Sequence, residues 1–327
     1  MFNWPKTLLR GLAYDNLTIF FGAGIPYEFN LPLWNELVDK LFEEMKSYLS
    51  AEEQAEFKDF VKVKDYLNAI ELLMYKNEEI VLDCLENAFN KDDFDSFNLE
   101  ESNENLLFKL NANSYLTTNI DNSLEEIKGL SGKKGASIYS YKNEKDIRDK
   151  LIFHNSEKDP LIIRVHGELK DASSLIFSQS QYSKLNKEDF FIFNQLIPSL
   201  FLVSTVLIVG YSISDPDIQL ILEKTAKVKG TKDNIFFINA DEKLSKHKKR
   251  MFTNRFGIKI LDIYTDLDTT YDITHILKKR LNELIDLKEI LLNYSLNDKR
   301  NLFKNGQQSI YDELKQTLDE SKIPALS

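Results

Sequence analysis

A single cysteine, Cys84, stands among 327 residues. That scarcity excludes an intramolecular disulfide and any Cys-x-x-Cys zinc module. Apolar runs are short, and none reaches the roughly 18 residues of a membrane span, so no membrane association is expected. Met1-Phe2-Asn3-Trp4-Pro5-Lys6 lacks the apolar core and cleavage site of a secretory signal. A cytoplasmic protein is the expectation. Acidic residues outnumber basic ones, 52 to 42. With a net charge of −10, the chain is a poor non-specific ligand for nucleic acid, which needs a basic surface. The one basic cluster, Lys243 to Arg250, reads as the solvated face of a surface helix. Acidic residues gather at Asp92, Asp93, Asp95, Glu100, Glu101 and Glu104 and read as a solvated loop.

What is present is an ordinary globular composition, 43% hydrophobic and 29% charged. Its length suits one large α/β domain, or one domain plus an appendage. Strands are expected at Leu17–Phe21, Ser114–Thr118, Leu161–Val165, Ser174–Phe177, Val206–Val209, Ile235–Ile238 and Ile258–Ile263. Most are near-continuous apolar runs, as in strands covered on both faces. Helices are expected between them, at Leu33–Leu49, Asn103–Leu110, Asp189–Leu202 and Asp215–Lys229, with two or three more across Glu52–Phe89. Asp189–Leu202 is apolar almost all round and reads as buried. In Asp215–Lys229, Asp215 can cap, Pro216 suits the first turn and Gly230 the end. Its expected buried stripe is Ile218, Ile221, Leu222 and Thr225.

This alternation predicts a doubly wound, mostly parallel Rossmann-like sheet with a helical insert at about 50–112. After Tyr264 the pattern turns wholly helical, with Ile273, Leu277, Leu281, Leu284, Leu287 and Leu291 at helical spacing, then Ile310, Leu314 and Leu318. Residues 1–264 therefore read as one domain and 265–327 as a helical appendage, packed on the core or offered to a partner.

The strand Leu17–Phe21 runs into Gly22-Ala23-Gly24, and Pro32-Leu33-Trp34 opens a helix behind it. Strand, glycine turn and helix can hold the pyrophosphate of a dinucleotide on backbone N–H groups. Tyr27 occupies the third glycine position of the full fingerprint, and no acidic residue ends a second strand about 20 residues on. A plain dehydrogenase is therefore disfavoured. Three other strand ends carry polar residues where an α/β sheet binds ligands. They are Thr117-Thr118-Asn119-Ile120-Asp121, His166-Gly167-Glu168 and Gly210-Tyr211-Ser212-Ile213-Ser214-Asp215. Each has a second reading. Asn119 and Asp121 could cap a turn or helix, His166 could be a structural histidine, and Gly210-Tyr211-Ser212 could be a plain turn. Together, in this order, they are harder to explain as separate accidents.

The order resembles that of the sirtuin (silent information regulator) family, and more closely its bacterial sirtuin-like branch. The matching residues are Gly22-Ala23-Gly24-Ile25-Pro26, Asn30-Leu31-Pro32, Thr117-Thr118-Asn119-Ile120-Asp121, His166-Gly167 and Gly210-Tyr211-Ser212. Trp34, Leu37, Tyr182 and Asp215 resemble the bacterial branch, and the resemblance spans about residues 14–263. Departures are Pro26 for a serine, Asn30 for a glycine and Thr118 for a glutamine. The zinc module that frames the acyl-lysine cleft is missing, which disfavours protein deacylation.

The resemblance implies NAD as a consumed substrate and no metal. Gly22, Ala23 and Gly24 would hold the pyrophosphate, Ser212 the phosphates or ribose, and Asn239 the adenosine ribose. Pro32, Trp34, Thr118, Gly210, Tyr211 and Asp215 complete the expected binding set. Asn119 and Asp121 would shape the nicotinamide pocket. His166, with an ordinary pKa near 6.5, would be a general base. The implied reaction is hydrolysis to nicotinamide and ADP-ribose, in anti-phage defence by NAD depletion. A zinc-free NAD-dependent deacylase or a non-catalytic NAD or ADP-ribose sensor are the alternatives. A homo-oligomer or a separately encoded partner or activator is expected, with its surface at the C-terminal helices or at Glu52–Phe89.

Overall fold

The computed structural model of the protein describes residues 1–91, 93–130, 136–153, 159–185, 190–213, 215–226, 233–239, 244–263 and 272–321. In chain order the elements are α1 (Lys6–Ala13), β1 (Leu17–Phe21), α2 (Trp34–Met45), α3 (Ala51–Lys62), α4 (Tyr66–Phe89), α5 (Asn103–Lys109) and β2 (Ser114–Thr117). Then come α6 (Ser123–Leu130), β3 (Ile138–Ser140), α7 (Glu144–Phe153), β4 (Leu161–Arg164), α8 (Gln179–Leu185), α9 (Ile197–Val203) and β5 (Thr205–Val209). The chain continues through α10 (Pro216–Ala226), β6 (Ile235–Asn239), α11 (Lys246–Phe256) and β7 (Lys259–Asp262), then α12 (Ile273–Asn293), α13 (Leu296–Leu302) and α14 (Gln307–Ser321).

The seven strands form one sheet in the order β3-β4-β2-β1-β5-β6-β7, and every neighbouring pair is parallel. The inner strands β1, β2, β4, β5 and β6 are buried throughout, whereas the edges β3 and β7 are half-buried. Side chains alternate across the sheet. Ile19, Phe21, Tyr115 and Leu207 join one core cluster, and Phe20, Leu116, Val206 and Ile208 join the other. Chain order reverses at β1, with β2 on one side and β5 on the other, and ligands bind at such switch points.

Six of the seven expected strands form, within a residue at their ends. Ser174–Phe177 does not. It makes a 3-10 turn over Ala172–Ser174 and then folds back on the end of β4, with Ile176 N–H donating to the His166 carbonyl at 3.2 Å. Leu175, Ile176 and Phe177 are buried by packing inward, not by strand pairing. The short edge strand β3, a half-polar Ile-Tyr-Ser, was not expected.

The helical insert holds two long helices. α3 begins in a reciprocal cap, with Ser50 Oγ accepting from Glu53 N–H at 3.3 Å and the Glu53 carboxylate accepting from Ser50 N–H at 2.9 Å. α4 breaks at Asn77, whose side-chain oxygen accepts from Ile80 N–H and restarts the helix. The expected stripe of α10 is buried, and Gly230 lies outside the described residues. Asp189–Leu202, of which Asp189 is not described, is a π-helical turn at Ile192–Leu196 leading into α9. Its inner side is buried, but Leu202 and Val203 are exposed at the C-terminal end of α9, so the segment is not apolar-buried all round. α11 carries the basic cluster on an exposed face, with Lys243 outside the described residues. Among the described residues no helix is long and apolar enough to cross a membrane.

The C-terminal helices pack on the sheet. Ile276, Leu277, Leu281, Leu284, Leu287 and Leu291 of α12 and Ile310 and Leu314 of α14 are buried in the same cluster as β1, α1 and α5. Lys288, only 4% exposed, donates to the Leu110 and Asn111 carbonyls and pairs with Asp15 at 2.7 Å. Truncating Leu284, which is fully buried, should lower stability by about 2–5 kcal/mol. Urea unfolding of Leu284→Ala checks this. A loss below ~0.5 kcal/mol, as at an exposed position, would show that α12 is not part of the core.

Candidate active site

At the end of β1 the chain turns through Gly22-Ala23-Gly24 directly against the end of β5. Gly22 N–H donates to the Val209 carbonyl at 3.0 Å, and Gly24 N–H to the Gly210 carbonyl at 2.9 Å. A Cβ on Gly22 would lie 2.5 Å from the Tyr211 ring, and one on Gly210, at φ +76°, would lie 2.9 Å from the Gly22 carbonyl. The glycines are therefore required by the close approach of two turns. The expectation was that backbone N–H groups around Gly22, Ala23 and Gly24 hold a pyrophosphate. Gly22 and Gly24 use theirs internally, and only Ala23 N–H stays open among the described residues.

Tyr211 fastens three strand ends. Its buried hydroxyl donates to the Phe21 carbonyl of β1 at 2.9 Å and lies 3.0 Å from Thr118 Oγ1, beyond β2. Thr118 N–H also donates to it, at 3.3 Å, and Thr117 Oγ1 donates to the same Phe21 carbonyl at 2.8 Å. Burial pushes the Tyr211 phenol well above its ordinary range, so it remains a neutral donor.

Beside this knot opens a cleft. Expected site residues that line it are Ala23, Pro32, Trp34, Thr118, Asn119, Asp121 and His166. Pro26, which replaces the resembled family's serine, lies on the wall. Phe89 and Phe177 also line it and were not singled out in the sequence. Phe177 bridges the wall, 5.6 Å from Trp34 and 6.4 Å from Phe89 between ring centroids. Phe89 ends the insert helix α4, and its helical spacing carried no signal of a ligand. Asn30 takes the left-handed conformation, φ 58° and ψ 31°, that its replacement of glycine requires.

Gly22, Gly24, Gly210, Tyr211, Ser212, Asp215 and Asn239 do not line this cleft. Ser212 and Asp215 form a turn, with Asp215 N–H donating to the Ser212 carbonyl at 3.0 Å, and Ser214 lies outside the described residues. Asn239 is fully buried at the end of β6 and donates to Asp262 of β7 at 3.0 Å. That bond holds two strand ends together.

Asn119 Nδ2 is buried and makes no hydrogen bond among the described residues. Its backbone is fixed by N–H donation to Thr117 Oγ1 at 3.0 Å. A buried amide donor without a partner costs about 1–3 kcal/mol, a cost that a ligand accepting from Asn119 would remove. Asp121, 3% exposed, accepts from Ser123 N–H at 3.1 Å and from Ser123 Oγ at 2.5 Å, capping α6. The capping reading and the cleft-lining reading both hold for this residue. Burial raises the Asp121 carboxyl, while Ser123 and Arg164 pull it down. Arg164 of β4 pairs with Glu125 at 2.8 Å and donates to the Asp121 carbonyl.

His166 is 2% exposed and stands edge-on to Tyr182, whose hydroxyl is 3.3 Å from Nε2. Burial pushes its pKa down to about 3. The expectation of an ordinary histidine poised near neutrality is thereby corrected, because the apolar surroundings disfavour the imidazolium. Unfolded, the same ring protonates near 6.5. Its contribution to stability is therefore complete above about pH 6.5 and shrinks as pH falls toward the folded value, since the unfolded chain binds the extra proton. The ring protons of His166 should show no titration between about pH 5 and 8 by NMR, and His166→Gln should lessen the acid-side loss of urea stability. A ring transition near pH 6.5 would contradict this placement. Among the described residues, no group of three His, Cys, Asp or Glu side chains is arranged to hold a metal.

Residues 113–261 match the family described as SIR2-like domain. The chain is 24% identical over 311 residues to the NAD(+) hydrolase ThsA of Enterococcus faecium, covering 89% of this chain and 61% of that protein. It is 22% identical over 291 residues to Defense-associated sirtuin 2 of Bacillus subtilis, covering 87% of this chain and 27% of that one. It thus spans about three fifths or less of the curated relatives it matches. A solved Sir2 enzyme aligns over 88% of this chain and 98% of its own, at 12% identity and a TM-score of 0.40. The matched segment runs from β2 to β7, and it supplies Asn119, Asp121 and His166 to the cleft. Over residues 113–261 the chain is similar to the SIR2-like domain family.

Proposed function

We propose that this chain cleaves the nicotinamide–ribose bond of NAD, giving nicotinamide and ADP-ribose. The observation that carries the reading is the unpartnered amide nitrogen of Asn119, buried at a cleft that Asp121 and His166 also line. The names of the relatives, an NAD(+) hydrolase and a defence-associated sirtuin, support the same reading and a place in anti-phage defence.

Departure of neutral nicotinamide leaves positive charge on the ribose. The carboxylate of Asp121 is the negative group lining the cleft, and a fixed charge in a poorly hydrated site favours such a transition state. Asn119 would orient the ribose or the attacking water by donating from Nδ2. His166 would accept a hydrogen bond from a ribose hydroxyl or the water. With a pKa pushed down to about 3, it is a weak base and serves as a neutral orienting group. Ala23 N–H and the Trp34–Phe177–Phe89 wall would receive the rest of the dinucleotide. A homo-oligomer or a separately encoded activator would keep such an enzyme silent until needed. The exposed faces of α3, α4 and the C-terminal helices are where we place that contact.

The test follows nicotinamide release from NAD by the protein, alone and with the proteins encoded beside its gene. Asn119→Ala and His166→Ala should each lower the rate by about 10²-fold or more, the scale of a lost positioning or acid–base group. Wild-type rates in both variants would overturn the site assignment. Release that requires an acylated peptide would favour a deacylase instead.

A further inference from the structure

Burial separates residues that the sequence presents alike. Of the acids expected in solvent, Asp93, Asp95, Glu100 and Glu101 are exposed, Glu104 on α5 is buried, and Asp92 lies outside the described residues. Of the tyrosines, Tyr75 is exposed, whereas Tyr182 on α8 is buried and reaches the candidate site itself. Its hydroxyl is 3.3 Å from His166 Nε2, and the two rings stand edge to face, 5.3 Å between centroids at 85°. Hydrogen bonds hold the chain around it. Tyr182 N–H donates to the Ser178 carbonyl at 2.9 Å, and Gln181 Oε1 accepts from Phe177 N–H at 2.7 Å and from Ser178 N–H at 3.0 Å. Glu71 of α4 accepts from Ser180 N–H at 3.0 Å. Tyr182 packs in the apolar cluster of Ile176 and Phe193 and does not line the cleft. The phenol thus meets the histidine outside the cleft.

Counting protons gives the direction of this bond. Burial holds the His166 ring neutral, with one N–H and one bare nitrogen. The phenol carries one proton, and among the described residues Nε2 is the only hydrogen-bond partner of its hydroxyl. With the ring proton on Nε2, that N–H would take the phenol oxygen and the buried O–H would be left without an acceptor, at the cost of its desolvation. With the ring proton on Nδ1, the phenol donates to a bare Nε2 and the contact is satisfied. Nε2 is then the single acceptor of the ring, and it is already taken.

We propose that Tyr182 gates His166: its hydroxyl donates to the acceptor nitrogen of the ring, and NAD is cleaved only when that bond is given up and Nε2 accepts from a ribose hydroxyl or the attacking water instead. The gate rests on the reading of His166 as an acceptor toward NAD or water, whereas the direction of the Tyr182–His166 bond does not. The exchange replaces one donor to Nε2 by another, so the ring keeps its proton on Nδ1 throughout. Through Ser180 and Glu71 the short helix that carries Tyr182 is bonded to α4, one of the faces on which we place an activator contact.

Nitrogen NMR of the protein labelled at its histidine rings tests the bond, with His166→Gln identifying the resonances of that ring among the four histidines. At neutral pH the wild type should carry the His166 proton on Nδ1. Tyr182→Phe keeps the edge-on ring, removes only the hydroxyl and should move the Nε2 resonance. A proton on Nε2 in the wild type, or an Nε2 resonance that ignores Tyr182→Phe, overturns the proposal. The wild-type spectrum alone answers the first point, whatever the substitution does to folding. Nicotinamide release from NAD then tests the gate. Without any added protein, Tyr182→Phe should be about threefold to tenfold faster than the wild type, the scale of one net hydrogen bond and opposite in sign to His166→Ala. Release by the wild type with an equal or lower rate in folded Tyr182→Phe overturns the gate and leaves the NAD reading standing. No release from either protein, alone or with the proteins encoded beside its gene, refutes the NAD reading and the gate with it.

Discussion

The hydroxyl of Tyr211 holds together the ends of three parallel strands, and the cleft depends on that knot. Phe21, Thr118 and Tyr211 meet within 3.3 Å at the switch point of the sheet. The ring can reach this position only because Gly22 has no side chain. The turn after β1 can lie against β5 only because Gly210 has none. One wall of the cleft is thereby fixed before any ligand arrives. Asn119, two residues beyond the end of β2, inherits its position from the same network through Thr117. A site assembled from several strand ends requires their mutual register to be rigid, and a buried neutral phenol supplies that without the cost of a buried charge.

Much of this was legible in the sequence. Strands covered on both faces leave near-continuous apolar runs, so β1, β4, β5 and β6 were readable as such, and β2 and the half-buried edge β7 form within a residue of where they were expected. Polar residues interrupting those runs at their ends marked Asn119, Asp121 and His166 as candidates. Packing of the C-terminal helices on the core was one of two readings that their apolar spacing left open, and Leu281 and Leu284 of α12 are buried in that core. What was not legible depended on where a chain folds back. Leu175-Ile176-Phe177 has strand composition but packs inward against the end of β4, and it brings Phe177 into the cleft. Asn239 stands at a strand end like the others, yet Asp262 on the neighbouring strand takes its amide. The glycines near Ala23 looked like a phosphate cradle, although two of their three N–H groups serve the fold.

Burial is the factor that residue types alone did not disclose. His166 carries the ordinary imidazole of a catalytic histidine in the sequence, and its surroundings hold it neutral. Glu104 sits in an acidic run and is nevertheless the most deeply enclosed carboxyl of that run. Among the described residues the cleft is lined by one carboxyl, Asp121, by the amide of Asn119 and by a histidine ring that burial holds neutral. That arrangement suits a reaction whose leaving group is neutral and whose developing charge is positive.

The most direct measurement is the fate of NAD mixed with the purified protein in isotopically labelled water, alone and with the proteins encoded beside its gene. The account predicts nicotinamide and ADP-ribose in equal amounts, with the solvent oxygen on the anomeric carbon of the ribose. NAD that binds the cleft and is recovered intact under both conditions would contradict it and assign the site to sensing.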